Sequence, residues 1–237
     1  MRECPTPEST LQASCEDCWK TVELCVCESK PQVRTPLQLL ILQHPREARN
    51  PLGSARLLSL SIAGAVHCVG LSWRSLSQAF GEKQDPSEWA VLYLGTQKDS
   101  ESKQSTAPLE IRDRKGRVVP KATLKGIVLL DGNWKQSKTL WWRNPWLLKL
   151  NRLLLNPTQG SKYGSLRRQP RGRCLSTLEA GAVTLDGLGD TKSAQALLEH
   201  FDAFLEKARV NRPAKASPPA PSRRLPAPVA QPAASAD

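Results

Sequence analysis

Asp131 and Trp134 stand three residues apart at the end of the apolar run Ile127-Val128-Leu129-Leu130. A carboxylate at the end of a buried strand can accept a proton once desolvation raises its basicity, and an indole beside it can stack on a base. An isolated Asp-x-x-Trp equally suits a buried strand followed by a helix-capping Asp and a core Trp, so other residues must decide. The tract continues as Lys135-Gln136-Ser137-Lys138-Thr139-Leu140-Trp141-Trp142-Arg143-Asn144-Pro145. Cations and wide π surfaces alternate there, as a surface for phosphates and unstacked bases requires.

Two other segments carry candidate groups. Leu42-Gln43-His44-Pro45-Arg46-Glu47 follows an apolar strand, so its polar groups should project from the same carboxyl edge as Asp131. Taken alone, His44 suits a surface or capping role, and Arg46 with Glu47 an ordinary helix start. The second segment is Tyr163-Gly164-Ser165-Leu166-Arg167-Arg168-Gln169-Pro170, followed by Leu175-Ser176-Thr177-Leu178-Glu179-Ala180. Ser176 and Glu179 have capping-box spacing, and a helix start beside Arg167 could receive the carboxylate of a small ligand.

Near the N-terminus, Cys15-x-x-Cys18 and Cys25-x-Cys27 form two close pairs. One small loop could wrap a tetrahedral zinc ion with them. A redox pair at Cys15 and Cys18 is the competing reading, although it does not require the second pair. Cys4, Cys68 and Cys174 look incidental.

The elements that must position these groups follow from patterning. Leu37 to Leu42, Ala65 to Leu71, Trp89 to Leu94 and Leu124 to Leu130 read as strands. Helices are expected from a cap at Asn50 to about Leu60, over Ser72 to Phe80, and at the end, where Ala194, Leu197, Leu198, Phe201, Phe204, Leu205 and Ala208 recur at helical spacing. Gln97 to Ala107 reads as a surface loop. The alternation implies an α/β fold with a mostly parallel sheet. Three regions are expected: a cysteine module over residues 1–30, a catalytic domain over 31–210, and a Pro/Ala-rich tail over 211–237 that cannot bury a core.

Lys and Arg outnumber Asp and Glu by 34 to 22 in 237 residues, for a formal charge of +12. Such an excess favours polyanions, nucleic acid first. The longest apolar runs fall well short of the roughly 20 residues that cross a bilayer, and Met1-Arg2-Glu3-Cys4-Pro5-Thr6-Pro7 lacks a signal-peptide core. The expectation is a cytoplasmic protein with reduced cysteines and no membrane or obligate protein partner.

The motifs Leu42-Gln-His-Pro-Arg-Glu47, Asp131-Gly-Asn-Trp134, Asn144-Pro145, Leu166-Arg-Arg-Gln-Pro170 and Leu175-Ser-Thr-Leu-Glu-Ala180, behind paired cysteines, resemble in order those of the DTW-domain family. The resemblance spans roughly residues 15 to 205. It implies a tRNA-uridine aminocarboxypropyltransferase that moves the 3-amino-3-carboxypropyl group of S-adenosylmethionine to the imide nitrogen of uracil, on a knotted, SPOUT-like fold. It further implies Asp131 and Trp134 as catalytic residues. His44, Pro45, Glu47, Asn133, Arg167, Pro170, Ser176, Thr177 and Glu179 would bind donor and tRNA, and Cys15, Cys18, Cys25 and Cys27 would hold structural zinc. Asn133 occupies the position where the family motif has Thr. The alternatives are a methyltransferase using the same donor and a noncatalytic RNA-binding module.

Overall fold

A computed structural model describes residues 14–92, 108–157, 159–167 and 174–211. Six strands form one sheet: β1 (Gln38–Gln43), β2 (Val66–Val69), β3 (Trp89–Leu92), β4 (Leu109–Arg112), β5 (Gly126–Asp131) and β6 (Asn151–Leu155), in the order β2-β1-β5-β3-β6-β4. All neighbours run parallel except β4, which is antiparallel to β6 at the edge. The expected α/β architecture with a mostly parallel sheet is thus present.

The central strands are apolar on both faces because helices cover both. Leu39, Ile41, Ile127 and Leu129 face one layer, where Leu57 and Leu58 of α2 (Ala55–Ser61), Leu178 of α5 (Thr177–Gly187) and Phe201 and Phe204 of α6 (Thr191–Val210) are buried with them. Leu40, Leu42, Val128 and Leu130 face the other layer. There they meet Leu76 of α3 (Leu76–Phe80), Leu140 of α4 (Trp134–Arg143), Trp89, Trp146 and Leu147. β5 can start beside the buried Trp89 only because residue 126 is glycine: a Cβ there would lie 2.6 Å from the indole.

Several expected elements are displaced. Asn50 does not cap a helix. A short α1 (Pro45–Ala48) precedes it, its amide Nδ2 donates to Glu47 Oε1 at 2.8 Å, and α2 begins only after Ser54. The strands β4 and β6 escape the apolar-run reading, because β4 buries only alternate residues and β6 opens with Asn151-Arg152. The last helix is the expected core cover. The Gln97 to Ala107 loop and almost all of the 211–237 tail lie outside the described residues, as does Cys4. No helix among the described residues is long and apolar enough to cross a membrane.

The cysteine loop rests on this body. Val33 pairs with Ile62 beyond α2, Arg56 Nε donates to the Asp17 carbonyl at 2.7 Å, and Lys207 Nζ of α6 donates to the Cys25 carbonyl at 2.5 Å.

Candidate active site at the carboxyl edge of the sheet

Register brings Gln43, the last residue of β1, directly opposite Asp131, the last residue of β5. Both side chains are buried, Asp131 to 5 % exposure. Gln43 Nε2 donates to Asp131 Oδ2 at 2.8 Å, and the Thr177 hydroxyl donates to Oδ1. His67 on β2 lies 3.0 Å from Gln43 Oε1 through Nε2. Since Gln43 spends its amino group on the carboxylate, its oxygen accepts and His67 must donate from Nε2. Burial holds His67 down to about 4, in the neutral form, with Arg56 nearby adding to the effect. Burial also pushes the Asp131 carboxyl above its ordinary range and the Glu47 charge adds to this, while the Thr177 and Gln43 hydrogen bonds oppose it. The result is an oriented carboxylate with raised basicity.

A second carboxylate stands beside it. Glu47 Oε1 accepts from Arg167 Nη2 at 2.7 Å, in an ion pair buried at its Glu47 end, and from Asn50 Nδ2 at 2.8 Å. The Arg167 guanidinium also lies 5.7 Å from the centre of the Tyr163 ring, and the Tyr163 hydroxyl donates to the Leu52 carbonyl. Lys20 enters from the cysteine loop and is buried, its Nζ donating to the Asn50 carbonyl at 3.3 Å. Burial lowers its ammonium to about 8 against the pull of Cys18, Asp131 and Glu47. The turn that delivers it runs through Trp19 at φ 60°, strained backbone for a bulky residue. The Trp19 ring is held between Arg56, 4.5 Å from its centre, and His67 at 5.6 Å.

Four of the named residues serve helix starts. Asn133, not Asp131, caps α4: its Oδ1 accepts from Gln136 N at 3.0 Å while Gln136 Oε1 accepts from Asn133 N at 2.6 Å. Asn and Thr are both good capping residues, so the departure from the family motif preserves this role. Ser176 and Glu179 form the expected capping box on α5. Glu179 also accepts from Ser161 Oγ at 2.5 Å and Lys162 N at 2.7 Å, so both its carboxylate oxygens are engaged. The α5 amides of Leu178 and Glu179 are taken by Ser54 Oγ and Ser176 Oγ. Arg167 is therefore a better receiver for a ligand carboxylate than that helix start. His44 caps α1 through Nδ1, accepting from Arg46 N at 3.1 Å, with Pro45 in the first turn.

Asp131 forms the floor of a cleft of about 220 Å³ whose walls include Tyr163, Arg167, Cys174, Ser176 and Thr177. Trp134 stands at its rim, 44 % exposed, and is no core residue. Such a volume suits one nucleobase or an amino-acid-sized group, with the rest of a larger ligand outside. A larger hollow of about 650 Å³ lies at the opposite edge, around Pro36, Gln38 and Lys125, remote from Asp131. Pro170 lies outside the described residues. Gln43, His67, Lys20, Ser54 and Cys174 were missed by sequence reasoning; Gln43 was visible inside the quoted motif, whereas the others join the site only by folding.

Four sulfurs, those of Cys15, Cys18, Cys25 and Cys27, all lie within 4.8 Å of one another. Cys15 to Cys27 is 3.8 Å and Cys18 to Cys25 is 3.7 Å. Thiolates placed tetrahedrally about 2.3 Å from zinc would stand about 3.8 Å apart, so the cluster fits a metal ion, and the cysteines are free thiols.

A family model described as the DTW domain matches residues 12–209. A protein named tRNA-uridine aminocarboxypropyltransferase 2 from Macaca fascicularis is 28% identical over 193 residues, 77% of this chain and 59% of its own length. Its namesake from Mus musculus is 29% identical over 206 residues, 82% and 62% respectively. The protein named tRNA-uridine aminocarboxypropyltransferase A from Arabidopsis thaliana is 24% identical over 220 residues, 81% of each chain. The chain thus spans about three fifths of the length of the first two relatives. No solved structure matches significantly.

Proposed function

The chain belongs to the DTW-domain family, and on that premise we propose that it transfers a 3-amino-3-carboxypropyl group from S-adenosylmethionine to the imide nitrogen of a uridine in tRNA. The observation that carries this reading is the buried Asp131 carboxylate, oriented by Gln43 and Thr177, on the floor of a base-sized cleft with Trp134 at its rim. Relatives named for this transfer support it.

The donor supplies a carbon made electrophilic by the adjacent sulfonium. The chain must do the rest. Asp131 accepts the imide proton of uracil, which makes the nitrogen nucleophilic; the new N–C bond forms as the C–S bond breaks, and the pair of electrons stays on sulfur in the departing thioether. Trp134 stacks on the base, and Arg167 takes the carboxylate of the amino-acid tail with guanidinium N–H groups not spent on Glu47. The Glu47 and Asp131 charges complement the cationic side of the donor. Holding the tail toward the uracil, with the methyl turned away, gives selectivity through position. In the same proposal Cys15, Cys18, Cys25 and Cys27 hold a structural Zn²⁺ over residues 1–30, residues 31–210 are catalytic on a knotted, SPOUT-like arrangement, and the setting is the reducing cytoplasm.

The test is mass spectrometry of nucleosides from unmodified tRNA incubated with protein and S-adenosylmethionine. Asp131→Asn should preserve the fold, since its Oδ1 can still accept from Gln43 and its Nδ2 can donate to the Thr177 hydroxyl. Aminocarboxypropyl-uridine is expected from the wild type alone. Methylated uridine from the wild type would overturn the reaction, and near-normal turnover by Asp131→Asn would overturn the base assignment.

A further inference from the structure

Helix α4 leaves the cleft with Asn133 as its cap and divides its tryptophans sharply. Trp141 packs against the core on the Leu140 side, whereas Trp142 is 75 % exposed. Trp134, Lys138 and Trp142 follow one another at four-residue spacing and so share one side of the helix. The two outer rings stand two turns apart, about 12 Å along the axis. Lys135 and Arg143 flank them, and Leu148 and Lys149 are exposed just beyond. Among the described residues, Lys135, Lys138, Arg143 and Lys149 form no ion pair. From Gly132 to Leu178 the chain holds ten Lys and Arg and no Asp or Glu, and four of the ten, Lys135, Lys138, Arg143 and Lys149, lie on α4 or just beyond it.

The exposed Trp142 indole offers a π face on which a base can stack, and the cations around it suit a polyanion with π faces. The geometry points to the outer side of α4 as a track for a single RNA strand, with a base near the reacting uridine stacked on Trp142 and the intervening backbone phosphate held by Lys138. This rests on the proposed transfer only for the identity of the base in the cleft. A stacked duplex keeps its bases about 3.4 Å apart and turns their faces away from any side chain. Two separate rings with a cation between them therefore suit a strand whose bases are splayed apart, as in a loop.

The experiment measures binding of a fluorescein-labelled single-stranded oligouridine, a duplex RNA and an unmodified tRNA transcript, without donor, across a salt series, for wild type and four variants. Trp142→Ala should weaken the single strand and the tRNA roughly 5- to 150-fold while leaving the salt slope and duplex binding unchanged. Trp142→Phe should restore much of the loss and Trp142→Leu should not. Lys138→Ala should lower the slope of log K against log salt by about 0.7. Trp142→Ala, Trp142→Leu and Lys138→Ala should raise KM for tRNA in the transfer assay with kcat preserved, and Trp142→Phe should raise it least. Wild-type binding by Trp142→Ala, or rescue by Leu equal to that by Phe, would overturn the stacking track. Transfer with an unmoved KM would refute the track alone, whereas Trp142-dependent RNA binding without any transfer would refute the proposed reaction and leave the track standing.

Discussion

Replacing Gln43 with Leu tests the orientation of Asp131 most directly, because the side chain lies behind the cleft and need touch no ligand. The variant removes the 2.8 Å donation from Nε2 to Asp131 Oδ2. It also removes the acceptor that His67 Nε2 uses at 3.0 Å. A hydrogen bond to a charged group contributes about 1.5–3 kcal/mol. The donation favours the ionised form and holds the carboxyl down, so its loss should raise the Asp131 pKa further. A base is active only when ionised. The acid limb of the pH profile of kcat/KM should therefore move to higher pH, with the plateau at high pH less affected. Leaving the buried His67 N–H unpaired adds a stability cost of about 1–3 kcal/mol, readable by urea denaturation, so rates must be taken where the variant is folded. A folded Gln43→Leu with the wild-type acid limb would refute the assignment of Asp131 as the group whose ionisation controls the rate.

Three further outcomes are expected. His67 is held at about 4 by burial, below its ordinary value of 6.5, so protonation favours unfolding. The stability it contributes is fully present above about pH 6.5 and is lost as pH falls toward 4, by about 1–3 kcal/mol after allowance for partial exposure; denaturation midpoints of wild type and His67→Gln should converge over that window, and parallel curves would contradict it. Asn133→Thr should be close to neutral in melting temperature and turnover, whereas Asn133→Ala should cost about 1 kcal/mol; a large loss in the Thr variant would show that Asn133 does more than cap α4. Chelation should open the cysteine loop to protease and also depress RNA-modifying turnover, because the loop that carries Cys18 continues into the buried Lys20 beside Glu47. Unchanged turnover after verified metal removal would dissociate the loop from the site.

Particular residues show why one edge of the sheet was legible and much of the site was not. Two apolar runs ending in polar residues, Leu37 to Gln43 and Ile127 to Asp131, announce buried parallel strands through composition alone, and the structure pairs their ends. The α5 capping box is equally local, since Ser176 and Glu179 serve amides within one turn. By contrast, the bland alternative for Asp131 fails in the structure only because Asn133 takes the cap and Trp134 remains half exposed at the cleft. That outcome depends on the angle at which α4 leaves β5, which packing against Leu140 and Trp146 decides. β4 was hidden for another reason: a four-residue edge strand burying alternate side chains has too short a pattern to stand out.

The sequence by itself determined what rests on local chemistry and periodicity: the strands that end at Gln43 and Asp131, the amphipathic last helix, the four clustered thiols and the cationic tract after Asp131. Only the tertiary structure decided which of these groups meet. Thr177 reaches Asp131 across 46 positions, Arg167 reaches Glu47 across 120, and Lys20 reaches Asn50 across 30. Such contacts leave no periodic trace in the chain, because their partners are selected by strand order and helix packing, and the burial that tunes Asp131, His67 and Lys20 exists only once those layers close over them.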